Sequence, residues 1–149
     1  MATGRYVSDL ATGDRLGPIR YSVSAFTVRE YCHSVELNHE AFLGIDTPVA
    51  PPTLIHLDKL KLYEAACPEG TGPDARLHIE FDATWHAPVP VGTEVEVVGE
   101  TTERFEKRGR TYVVTEINMT EAGTGRALVD YRDTVILAFR SDAKGEAAE

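Results

Sequence analysis

Residues 50–67, APPTLIHLDKLKLYEAAC, decide how the rest of the chain is read. Pro51 and Pro52 suit the first positions of a helix, where a backbone N–H would have no intrahelical partner to lose. Leu54, Ile55, Leu57, Leu60, Leu62 and Tyr63 then spread over more than half the helical circumference, a broader apolar stripe than a surface helix needs. The expectation is a long central helix, the most buried in the chain. The segment CPEGTGPDA, rich in glycine and proline, ends it at residues 67–75.

Downstream, the period changes to two. In ARLHIEFDATWH, residues 75–86, the series Leu77, Ile79, Phe81, Ala83, Trp85 alternates with His78, Glu80, Asp82, Thr84, His86, which predicts a half-buried strand. APVPVG breaks the pattern at 87–92. Residues 93–109, 110–123 and 125–139 read as three longer strands, with turns at Arg108-Gly109 and from Ala122 to Gly125. Upstream, IRYSVS at 19–24 alternates as a short first strand. Val28, Tyr31, Cys32 and Val35 then recur at helical spacing, with Ser24 as N-cap. Residues 37–52 show no sustained period and read as a loop. This order predicts an α+β domain over 18–140, an antiparallel sheet curled around one helix, with an arm at 1–17 and a polar tail at 141–149.

The chain of 149 residues has the length of one domain, and its net charge of −9 disfavours a nucleic-acid partner, since phosphate binding needs a concentrated basic surface. Cys32 and Cys67 lack the spacing of a metal or redox motif and read as buried thiols in a reducing compartment. The first residues show no leader pattern, and no stretch approaches the roughly 20 apolar residues of a membrane span, so a soluble cytoplasmic protein is expected. His78, Asp82 and His86, on one expected strand face, stand too far apart for a metal site.

The segments YSVSAFTVREYCHSV, PVAPPTL, FDATWHAPVPVGTEVEV, RFEKRGRTYVVTE and ALVDYRDTVIL, in this order over residues 18–139, resemble the MaoC-like hydratase/dehydratase family. The likeness is to the subgroup whose central helix opens with APPT in place of HGM. The resemblance implies a hotdog fold, a homodimer or a heterodimer with a second hotdog protein, and a site at the subunit interface near the start of the central helix. It implies water addition to, or removal from, an acyl thioester on coenzyme A or an acyl carrier protein, with no metal or cofactor. At the positions of the family's catalytic Asp and His, this chain carries Leu37 and Phe42, which move no proton.

Several groups are candidates to rebuild that chemistry. Glu36 and His39, in the loop after the first helix, are expected as an alternative acid/base pair, with His56 as a further imidazole on the central helix. Thr53, through its N–H and hydroxyl, and Asn38 are expected to meet the thioester oxygen. Trp85 is read either as core or as an aromatic wall of a substrate pocket. Arg104, Arg108 and Arg110 match the family's hairpin and are candidates for carrier phosphates. His33 is expected to face solvent. Besides an enzyme, the sequence allows a non-catalytic partner subunit shaping an acyl tunnel, or a hotdog domain recruited for cyclisation.

Overall fold

The computed structural model describes residues 5–72 and 75–138. Five antiparallel strands form one sheet: β1 (Arg15–Ser22), β2 (Ala75–Trp85), β3 (Glu94–Lys107), β4 (Arg110–Glu121) and β5 (Ala127–Ala138), in the order β1-β3-β4-β5-β2. Helix α1 (Ala25–Ser34) is capped as its sequence predicts, the Ser24 hydroxyl accepting from the Thr27 N–H at 3.1 Å. A short helix α2 (Glu40–Leu43) interrupts the segment expected to be all loop, its first turn capped by the His39 side chain.

The central helix differs from the sequence expectation in one respect. It enters as a 3-10 segment, Pro52–Leu57, and becomes α-helical only over α3 (Asp58–Ala66). The two prolines supply no N–H, and the first hydrogen bond closes the tighter way, from the Leu54 N–H to the Pro51 carbonyl at 3.0 Å. Leu54, Ile55, Leu62, Tyr63 and Ala66 are buried, whereas Leu57 and Leu60 stay partly exposed. The helix lies close to the sheet because Gly99 carries no side chain: a Cβ there would meet Leu62 Cδ1 at 3.2 Å. Val95, Val97, Ile117, Met119, Val129 and Tyr131 complete the core beneath it.

β1 begins four residues before the predicted alternation, because Gly17 and Pro18 interrupt the sequence pattern at a register shift between Leu16 and Ile19. Within the N-terminal arm, Val7 and Leu10 are buried in the core, and the Val7 and Ser8 amides bond to the Gly70 and Thr71 carbonyls. The predicted turn at Arg108-Gly109 is a two-residue hairpin with both residues at positive φ, +53° and +70°, the geometry that matches strand twist. The polar tail at 141–149 lies outside the described residues. Among the described residues, no helix is long and apolar enough to cross a membrane.

The largest departure is in β2. Its register shifts between His78 and Glu80, so that Ile79 is an extra residue in the ladder. His78 therefore pairs with Val135 and turns to the helix side of the sheet, the face of Phe81 and Ala83, away from Asp82. The expectation that His78, Asp82 and His86 share one face is thereby corrected. Leu77 and Ile79, expected in the core, are about half exposed for the same reason and because β2 is an edge strand.

Candidate active site

Two features lie along the central helix and β2. The first is an apolar cleft of about 330 Å³ at the start of the 3-10 segment, walled by Phe42, Pro51, Pro52, Ile55, Trp85 and Ala87. Trp85 is 41% exposed. It lines this cleft and is not part of the buried core. Apart from the imidazole of His86, which bonds to Asp130 at 2.7 Å, the surfaces are aliphatic, aromatic and proline, the lining that favours an apolar chain.

The second feature is a polar cluster toward the other end of β2. His56 and Lys59 stand three residues apart on the same face of the central helix. Lys59 Nζ donates to Asp133 Oδ1 at 2.9 Å, and both side chains are buried, 9% and 1% exposed. His78 Nε2 lies 2.7 Å from the same Asp133 oxygen and 3.1 Å from the Glu80 carbonyl. Both neighbours are acceptors, so Nε2 carries the ring proton in the neutral imidazole and Nδ1 keeps the lone pair. The His56 and His78 rings are 5.1 Å apart, and Phe81 stands 5.1 Å from His56, edge-on.

Charge is unevenly distributed in this cluster. Burial, then the positive charges of Lys59 and of a protonated His78, push the His56 imidazole below its ordinary value, outweighing the opposite pull of Asp133. This environment favours the neutral form of the His56 imidazole. Asp133 Oδ2 is buried and has no hydrogen-bond partner among the described residues, leaving one free acceptor beside the ion pair. The imidazoles remain reachable: His78 is 38% exposed.

The other sequence candidates fall elsewhere. Glu36, Asn38 and His39 are exposed, as is His33, and no hydrogen bond joins Glu36 to His39 among the described residues. His39 Nδ1 accepts from the Ala41 N–H at 3.0 Å, which employs one ring nitrogen as the cap of α2. The expected Glu36/His39 pair is therefore not assembled, because the helical turn that follows takes the imidazole. Leu37 and Phe42 pack against the core. The Thr53 hydroxyl shares a hydrogen bond with the Tyr31 hydroxyl at 2.6 Å, which joins the start of the central helix to α1. Arg104 Nη1 donates to the Ser8 and Leu10 carbonyls at 2.8 and 2.9 Å; it pins the N-terminal arm, which accounts for the residue without a phosphate. Arg108 and Arg110 are exposed at the hairpin tip.

Lys59, His78 and Asp133 were missed as site residues. Two of them carried a signal: Lys59 is a charge within the most apolar helix, and Asp133 breaks the series Val129, Tyr131, Val135, Leu137 that otherwise faces the core. A charge at a core position is the informative observation, since such groups are buried only when paired. For His78 no local signal existed.

No protein-family model and no curated protein sequence matches the chain. Solved structures do. The chain superposes on the HadBC (3R-hydroxyacyl-ACP dehydratase) complex of Mycobacterium tuberculosis with a TM-score of 0.72 at 21% identity, over 84% of this chain and 96% of that one. It matches an (R)-hydratase from A. caviae involved in PHA biosynthesis at a TM-score of 0.67 and 17% identity, over 85% and 96% of the two chains. For the MaoC-like dehydratase from Rhodospirillum rubrum the values are 0.63 and 18%, over 92% and 99%. The chain has the hotdog fold of the MaoC-like dehydratases and hydratases, of the α+β class, as its sequence led us to expect.

Proposed function

We propose that this chain is a hydratase or dehydratase type of hotdog domain that acts on an acyl thioester carried by coenzyme A or an acyl carrier protein. The observation that carries this reading is the apolar cleft at the start of the central helix, walled on one side by Trp85 and on another by Ile55, the residue before His56. An acyl tail suits the cleft, and a reacting carbon beside it lies within reach of acid/base groups. Proteins described as a hydroxyacyl-ACP dehydratase and an (R)-hydratase share this fold, which supports the same class of substrate. Arg108 and Arg110 stand at the end of the sheet nearer His78, so a thioester there leaves its carrier phosphates on their side.

The chain works as a dimer, with itself or with a second hotdog protein. The second reading, a partner subunit without chemistry of its own, is favoured by the apolar Leu37 and Phe42 packed at the positions where the family resemblance places the dyad.

Trp85 is the only tryptophan, so intrinsic fluorescence reports the cleft directly. Titration with enoyl-coenzyme A esters of graded chain length is expected to quench it, with Trp85→Ala weakening binding about tenfold by calorimetry, the scale of losing one aromatic contact. Loss of enoyl absorbance follows hydration in the same samples. Turnover by the isolated chain supports the enzyme; turnover only after adding a second hotdog protein supports the partner subunit. Absence of both quenching and turnover, with and without the second protein, rejects the acyl-thioester reading.

A further inference from the structure

We infer that His78 and His56 form a proton-transfer centre that stands in for the missing loop dyad, with Asp133 and Lys59 as its buried positioning pair. The inference rests on the acyl-thioester reading above and adds the groups that would perform its chemistry.

Three observations point the same way. First, a single extra residue, Ile79, turns His78 from the outer face of β2 to the helix face, where it meets His56. Bulges re-aim side chains, and they recur beside active sites. Second, Asp133 and Lys59 bury opposite charges in the core, an arrangement that gains little stability over an apolar pair of the same size. Its effect here is to hold Asp133 Oδ1 against His78 Nε2, so that the ring is fixed with its lone pair on Nδ1. A carboxylate that orients an imidazole and balances the charge it acquires is the arrangement general-base chemistry requires. Third, the two imidazoles differ. His56 has no carboxylate contact and is desolvated between Phe81 and His78; His78 has Asp133. Paired groups in unlike environments divide into a proton acceptor and a hydrogen-bond donor.

The division gives a balanced step. His78 Nδ1 takes a proton from water as the water oxygen forms a bond to the β-carbon of the enoyl thioester. The π pair of the Cα=Cβ bond moves toward the carbonyl, and the developing enolate oxygen accepts a hydrogen bond from the neutral His56 N–H. The imidazolium of His78 then returns its proton to Cα, and the thioester carbonyl re-forms. One water has been added and the enzyme is unchanged. Dehydration is the same path reversed.

Among the described residues, three elements supply the groups around this pair. The central helix supplies His56 and Lys59, β5 supplies Asp133 and Tyr131, and β2 supplies Phe81 and the Glu80 carbonyl. The sequence from Trp85 through Phe81 to His78 runs along one strand for about 20 Å at ordinary strand rise, so an acyl chain in the cleft has its head end directed to the imidazoles.

The test uses the full chain with an enoyl-coenzyme A ester that quenches Trp85. His78→Gln retains a donor for Asp133 but cannot act as a base. It is expected to lower kcat by a hundredfold or more with KM changed less than threefold. His56→Gln is expected to lower kcat by roughly tenfold to a hundredfold. Asp133→Asn, which reaches the substrate only through His78, should lower kcat without weakening binding even though it also breaks the ion pair with Lys59, whereas a merely structural role would lower the unfolding midpoint and leave kcat per folded molecule intact. Should Asp133→Asn not fold, His78→Gly with added free imidazole replaces it, and recovery of turnover on adding imidazole is the expected result. Binding without any turnover overturns this inference and leaves the acyl-thioester reading standing. So does turnover that survives His78→Gln but is lost in His39→Gln or Glu36→Gln. Absence of binding overturns both.

Discussion

Asp58 is wholly buried at the head of α3, where Tyr21 donates to its Oδ1 at 2.5 Å and Lys61 stands 3.6 Å away. Its other oxygen has no hydrogen-bond partner among the described residues. Burial pushes this carboxyl up to about 6, against the smaller opposing effects of Tyr21 and Lys61. The folded protein then holds a proton that the unfolded chain has already released, and stability falls as pH rises from about 4 to about 6. The penalty is present in full above that window and absent below it. Asp58→Asn removes the titration. Between pH 4 and pH 7, wild type is expected to lose about 2 kcal/mol relative to the variant. Urea unfolding at the two pH values measures this, and parallel curves for the two proteins would rule the carboxyl out as the cause.

The elements that carry the site are held in place by close approach and by one irregularity. Leu62 of α3 is packed onto Gly99 of β3, and the 3.2 Å left for a Cβ means that Leu62 must give way by a few tenths of an ångström for a methyl and by more for a branched side chain. Gly99→Val is expected to destabilise the fold by about 1–3 kcal/mol, read as a lowered urea midpoint at unchanged m-value. An unchanged midpoint would show that the helix seats elsewhere. In β2 the irregularity matters more than the packing. The alternation of ARLHIEFDATWH predicts the strand and the inward set Phe81, Ala83, Trp85 correctly, and misplaces everything before Glu80 by one position. A strand ladder has period two, so one added residue exchanges the faces of all that precede it.

At the scale of the whole molecule, the order β1-β3-β4-β5-β2 leaves β2 as a sheet edge carrying Leu77 and Ile79, each about half exposed. An apolar edge strand pairs with another chain unless it is blocked. The proposed dimer would use this edge. Light scattering is expected to give a dimer for the wild type and a monomer for the doubly substituted Leu77→Lys, Ile79→Lys chain; a wild-type monomer at micromolar concentration would count against the dimer. The sequence by itself determined the antiparallel strands, the apolar central helix, the Ser24 cap and the Arg108-Gly109 turn, because period, capping and turn chemistry are local properties of a few neighbouring residues. It also disclosed that Leu37 and Phe42 cannot serve as a proton-moving dyad, since that is a matter of residue type. Only the tertiary structure decided where the polar chemistry went. His39 became a helix cap, Arg104 a tie for the arm, and Thr53 a partner of Tyr31, each through a contact made by folding. His56, Lys59, His78 and Asp133 come from the central helix and two strands, and what brings His78 to the others is one unpaired residue in a ladder, a long-range register that no local period records.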